Sequence, residues 1–282
     1  MRTPLLTLAL AATALSLAAC STEGEMRAVD PAGGGEPSTA TTAPGEAPTP
    51  VPDGEVSTGG LVTVLDPGTG PELCLGAVAE SYPPQCSGPK IEGFEWGDVG
   101  AEEANGVKWG TYAVTGTFDG TTFTATDAIP AALYDPMAEP TEDPLGAACD
   151  DPQTTDEAKA TQEDLDATLT AASALKGYAS AWLSGKTINV AVTEDAEGAE
   201  ATLRETWGGP LCVTTVKRTE ADLNTINQEL QKALPTLLTS GSYTPDTLDA
   251  QVMYDDGSIQ DWADATYGEG LVKVTSALTP VS

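Results

Sequence analysis

The chain has 282 residues, with 43 Asp and Glu against 12 Lys and Arg, a formal charge of −31 and no histidine. The missing imidazole excludes Ser-His-Asp and Cys-His nucleophile systems and His-ligated metals. The excess of carboxylates repels nucleic-acid phosphates and anionic lipid heads, which excludes a phosphate-tracking role.

Arg2 precedes an apolar run of 13 positions, Leu5 to Leu17, and the small residues Ala18-Ala19 stand before Cys20. A membrane span needs about 20 apolar residues, and here Ser21-Thr22-Glu23 follow at once, so the segment reads as an export signal. Leu17-Ala18-Ala19-Cys20 closely resembles the lipobox of bacterial lipoproteins. The resemblance implies that residues 1–19 are removed, that Cys20 is diacylated with palmitate-like chains, and that the mature chain is lipid-anchored at the outer face of the cytoplasmic membrane. Two acyl chains make a lasting anchor where one is marginal. The alternative is an ordinary secretory signal with a Cys at the small-residue site. Loss of Arg2 takes the mature charge to −32.

Residues 20–60 are expected to form a disordered linker. From Ser21 to Gly60 there is no aromatic residue, Leu or Ile, and there are six prolines, so little apolar surface offsets the ordering entropy. A first domain is expected over 61–130. Leu61–Leu65 and Leu73–Val78 read as strands. Val107–Phe118 and Thr121–Asp127 read as a hairpin on a two-residue Asp119-Gly120 turn, which sets Thr117 opposite Thr122, Thr115 opposite Thr124 and Phe123 over Gly116.

Besides Cys20 the chain holds Cys74, Cys86, Cys149 and Cys212. An even set in an exported chain implies two disulfides with three possible connectivities, of which proximity favours Cys74–Cys86 and Cys149–Cys212. A four-Cys zinc site lacks any Cys-x-x-Cys pair. The stretch from Cys74 to Trp96 reads first as a stapled structural loop. Its rival reading is a recognition loop with Tyr82, Phe94 and Trp96 as binding anchors. Short strands with a long crossover loop suggest a small antiparallel β-barrel of OB type.

A Pro-containing linker over 131–150 leads to a second domain, 151–282. Leu165, Leu169, Ala172 and Leu175 recur at helical spacing, with Thr161 and Asp164 as a capping pair. Tyr178–Leu183 and Thr187–Thr193 read as strands, Ala199, Leu203 and Trp207 as a helix ended by Gly208-Gly209, and Pro210–Lys217 as a strand that carries Cys212 centrally in its sheet. Thr219 and Asp222 cap a helix with Leu223, Ile226, Leu230 and Leu234. A strand at Gln251–Tyr254, a helix with Ile259, Trp262 and Tyr267, and a strand at Leu271–Ser276 follow. The fold class expected is α+β: the small barrel, then a two-layer α/β sandwich with helices on one face of a mixed sheet.

The segments LCLGAVAESYPPQCSGP, WGTYAVTGTFDGTTFT, ETWGGPLCVTTVKRTEADL and MYDDGSIQDWADATYGEGLVKV resemble uncharacterised envelope lipoproteins of high-GC Gram-positive bacteria, a likeness that implies no activity. The strand, helix and YG-x-G-x-V-x-V ending near residue 267 is similar to pro-segments of secreted bacterial serine proteases, which act as folding chaperones and inhibitors.

No phosphate-binding glycine motif occurs. Asp255-Asp256-Gly257 and Asp150-Asp151 lack the spacing of a Ca²⁺ loop and read as a turn and a solvated linker end. No cofactor, metal or catalytic residue is assigned. The function expected is a non-catalytic binding or assembly module whose partners are the membrane, through the lipid, and an envelope protein or cell-wall component. The alternatives are a carboxylate enzyme acting on cell-wall glycan and a transporter's substrate-binding lipoprotein.

Overall fold

Apolar and polar residues alternate from Val107 to Phe118 and make the longest strand, round which the first half of the chain is built. This computed structural model describes residues 45–97, 100–135 and 145–281; the signal region, Cys20 and the linker as far as Pro44 lie outside the described residues. The fold is mixed α+β.

Seven strands come first: β1 (Glu55–Ser57), β2 (Val62–Asp66), β3 (Glu72–Cys74), β4 (Lys90–Glu92), β5 (Ala101–Ala104), β6 (Val107–Phe118) and β7 (Thr122–Pro130). β6 pairs antiparallel with β2, β2 with β3, and β3 with β4. β4 runs parallel to β7, which returns antiparallel to β6, so five strands close into a ring. β1 and β5 pair with opposite ends of β6. Val64, Leu73, Ile91, Tyr112, Val114 and Phe123 fill the interior. Each such burial contributes about 1.5 to 3 kcal/mol.

The β6–β7 hairpin forms, but in a different register from the one expected. The turn spans four residues, and Thr117 faces Thr124 while Thr115 faces Asp127 across a bulge. The cause is the Asp119 carboxylate, whose Oδ1 accepts from Thr122 N at 2.7 Å and from Thr121 N and Oγ1 at 2.8 Å. A side chain that satisfies three donors favours the longer turn over a two-residue loop. Those bonds, Thr122 first, hold the Asp119 carboxyl below the usual range. The slip is two positions as far as Gly116, so Phe118 and Phe123 keep the inward face, and the bulge adds the third beyond it while Tyr112 and Val114 stay inside.

The later elements are α1 (Gln162–Ser173), β8 (Tyr178–Ser184), β9 (Thr187–Val192), α2 (Ala196–Leu203), β10 (Leu211–Thr215), α3 (Glu220–Ala233), β11 (Leu237–Thr244), β12 (Thr247–Val252), α4 (Ser258–Tyr267), β13 (Val272–Ser276) and β14 (Thr279–Pro280). They form not one mixed sheet but two of three strands, β10-β9-β8 and β11-β12-β13. Each has an antiparallel hairpin followed by a helix and a parallel strand. Helix, hairpin, helix, strand therefore occurs twice.

The sequence carries the same repeat. Thr161-x-x-Asp164-Leu165 returns 58 residues on as Thr219-x-x-Asp222-Leu223, and Thr206-Trp207-Gly208 returns 60 residues on as Thr266-Tyr267-Gly268. Thr187–Val192 and Thr247–Val252, also 60 apart, are the central strands. Both first helices start with a complete capping box. Thr161's hydroxyl, followed by its N–H, lowers the pKa of Asp164; Thr219's N–H, then its hydroxyl, lowers that of Asp222. In each copy the helices cover one sheet face, with Ile188, Val190 and Val192 in the first core and Leu248, Ala250 and Val252 in the second.

The first copy has its other face strapped by its own approach segment. Trp182 Nε1 donates to Gly146 O at 3.0 Å, Ala148 N donates to Asn189 Oδ1 at 2.8 Å, and Cys149 is bonded to Cys212. Cys212 lies on β10, an edge strand and not the central one expected.

The segment from 45 to 60, expected as the end of the disordered linker, is ordered. Trp262 Nε1 donates to Gly45 O, Ala47 is buried, and β1 pairs with β6 on one side and β14 on the other. The expected break at 131–150 does not separate two bodies, because the described residues on either side of it fall in one compact unit. Tyr254, Ala277 and Leu278 pack into the ring's core. These contacts join residues far apart in sequence, where local composition carries no signal.

Candidate functional site

Side chains on β2 and β6 alternate, so Val64 and Tyr112 point inward while Leu65, Thr63, Trp109 and Thr111 form an outward row. The register sets Leu65 beside Trp109 and Thr63 beside Thr111. Over this face lies the loop closed by the Cys74–Cys86 disulfide. Within it Ala79 pairs with Gln85, and Ser81 Oγ donates to Pro83 O at 2.8 Å. The loop carries Tyr82 at 71% exposure, its ring 5.3 Å from that of Trp109 and nearly perpendicular to it.

The three aromatic residues singled out in the sequence are not together. Phe94 and Trp96 pack on Tyr112 at centroid distances of 5.0 and 6.1 Å, on the ring's interior side. Lys108 Nζ sits 4.8 Å from the Trp96 centroid. Burial raises the pKa of the Tyr112 hydroxyl. Only Tyr82 of the three faces outward. Its partner Trp109 escaped the sequence reading, although its place two residues before Thr111 in an alternating strand puts it on the outer face.

Next to this pair, where the ring meets the second repeat, is a cleft of about 610 Å³, within the usual size of ligand pockets. One wall is the ring, with Leu61, Thr63, Leu75 and Thr111; the other is Gln251 and Ser276. No ionisable side chain lines it, in a chain whose acidic residues outnumber basic ones more than threefold. Several polar groups in the wall are internally engaged. Thr58 Oγ1 donates to Gly60 O and accepts from Val114 N, and Ser276 Oγ accepts from Asp255 N. Gln251 Oε1 accepts from Thr239 Oγ1. Among the described residues, Thr63 Oγ1, Thr111 Oγ1 and Gln251 Nε2 have no partner, and they are the groups left to meet a ligand.

Cys20 lies outside the described residues. The Asp255-Asp256-Gly257 stretch is the turn into α4, with Asp255 Oδ1 accepting from Gly257 N and Ile259 N. Among the described residues no group of three or more Cys, Asp or Glu side chains is placed to hold a metal ion, and no helix is long and apolar enough to cross a membrane. No known protein family, curated protein or solved structure matches the chain.

Proposed function

We propose that the chain is a lipid-anchored extracytoplasmic protein of the cell envelope, attached through Cys20, which binds or assembles and does not catalyse. The observation that carries the binding reading is the uncharged cleft, with three unengaged polar groups, Thr63 Oγ1, Thr111 Oγ1 and Gln251 Nε2, beside an exposed aromatic on a disulfide-closed loop. The lipobox-like stretch at Leu17–Cys20 and the likeness to envelope lipoproteins of high-GC Gram-positive bacteria support the location. We read the five-strand ring as a small barrel of OB type, whose strand faces and connecting loops are the customary ligand surface; fold alone assigns no ligand.

A carboxylate enzyme needs a carboxyl at its ligand site as general acid, and the cleft is lined by no Asp or Glu.

Two measurements test the reading. Cys20→Ala is expected to leave the membrane fraction or to persist as an uncleaved precursor; membrane attachment with normal cleavage would show that the lipid is not the anchor. The released chain should sediment with isolated cell envelopes, and Thr111→Trp, which places an indole in the cleft, should lower the bound fraction. Equal sedimentation of the variant, or none of the parent, overturns the cleft as the binding site.

A further inference from the structure

We propose that the cleft and the adjoining exposed ring of Tyr82 bind a neutral glycan, an uncharged oligosaccharide that lies over the Thr63–Thr111 part of the outer face, beside the disulfide-closed loop; this rests on the reading of the cleft as the ligand site.

Charge narrows the class first. The mature chain's net negative charge repels uronic and phosphorylated polymers, and the cleft has no cation to recover them. A cationic ligand would find carboxylates elsewhere on the surface and none here. The ligand that loses nothing in this lining is a neutral one.

The unengaged groups narrow it further. Thr63 and Thr111 are direct cross-strand neighbours, their Cβ atoms about 5 Å apart. A threonine hydroxyl both donates and accepts, and the free Gln251 Nε2 donates. Sugar hydroxyls have the same double character and come in closely spaced pairs. An extended peptide would instead seek an open strand edge. The ring strands beneath the cleft offer none, since β2, β3 and β6 are paired on both sides, and the edge strands β13 and β14 reach the lining only with Ser276, the last residue of β13, and Thr279 of the two-residue β14.

Stacking completes the fit. The apolar C–H face of a sugar ring packs on an aromatic face, and Tyr82 leaves most of its surface open. The disulfide and the Trp109 contact hold it in place, so little conformational freedom is lost on binding. Trp109 stands two residues from Thr111 along β6, about 7 Å away. A sugar stacked at Tyr82 therefore leaves its neighbour within reach of the threonine pair.

The test is titration of the full mature chain, carried as Cys20→Ala, with neutral gluco-, galacto- and manno-oligosaccharides, followed by tryptophan fluorescence and amide NMR. Saturable binding to one neutral series is expected, with shifts along β2 and β6. Tyr82→Ala should weaken it about tenfold, Tyr82→Phe should retain it, and Thr111→Val should weaken it a few-fold. Both sites face outward, so unchanged thermal unfolding separates lost binding from lost fold. Preference for an anionic polymer or a Pro-rich peptide overturns the proposal. So does failure of every neutral series while the chain still sediments with envelopes and Thr111→Trp still lowers the bound fraction, in which case the cleft stands and the ligand class falls. Failure of both measurements overturns the binding reading itself.

Discussion

At Gly116 the closure of the ring depends on the lack of a methyl group. A Cβ there would lie 2.1 Å from Thr124 O and 2.7 Å from Cε1 of Phe123. Neither neighbour can yield: one is backbone of the paired strand, and the other is a fully buried ring. Gly116→Ala is therefore expected to destabilise the protein by about 2 to 3 kcal/mol, as overpacking does. The check is a lower denaturant midpoint at unchanged slope. Much at this scale is legible from the chain alone, because the interactions are local. The two capping boxes and the Cys74–Cys86 pair follow from short spacings, and Cys149–Cys212 is the pair then left, whereas the register that set Phe123 opposite Gly116 does not hold, since Gly116 faces Ala125. Trp109 was not found because its meaning depends on which face of β6 the loop with Tyr82 covers, and that is a long-range fact.

Among the elements, the strap across the first repeat makes the sharpest difference between the two copies. In the first, the approach to α1 crosses the sheet and is bonded through Cys149 to Cys212, 63 positions away in sequence. In the second, only Val216–Arg218 separate β10 from the cap of α3, too few to cross anything. Closing so long a loop contributes about 4 kcal/mol in the chain-entropy account. The double variant Cys149→Ser, Cys212→Ser is expected to lose much of that, seen as a fall in denaturant midpoint measured without reductant, which would also open Cys74–Cys86. Equal midpoints would mean that Trp182 and Asn189 hold the strap unaided. Element type was readable for the helices, where caps and apolar spacing agree. β4, β5 and β11 were missed: the first two are short and charged, and β11 is rich in Thr, Ser and Gly. The repeat went unseen because its matching residues are few and spread over separate motifs.

Across the whole molecule, the ring's core is completed from outside the 61–130 stretch, by Val56 before it and by Tyr254, Ala277 and Leu278 after it. Leu278 is fully buried. Leu278→Ala is expected to cost about 2 to 5 kcal/mol, the range for a buried leucine. It should also disturb amide shifts on β1 and β6, although it lies more than a hundred residues further along the chain. A response confined to the last repeat would mean that the ring is stable by itself. Composition divides the chain at prolines, but packing does not follow that division, since the apolar residues that finish one core are encoded in the other half.

The placement of β1 has a mechanical consequence. If the chain is tied to a membrane at Cys20 and to the wall at its cleft, tension reaches the described residues at Gly45. It first peels the short segment that Trp262 and the buried Ala47 hold against α4. It then reaches β1, flanked by β6 and β14 and antiparallel to both. A strand pulled along its own length must break its bonds to both neighbours together, so the joint resists by shear. The early yield at α4 absorbs extension before the ligand-bearing face is loaded.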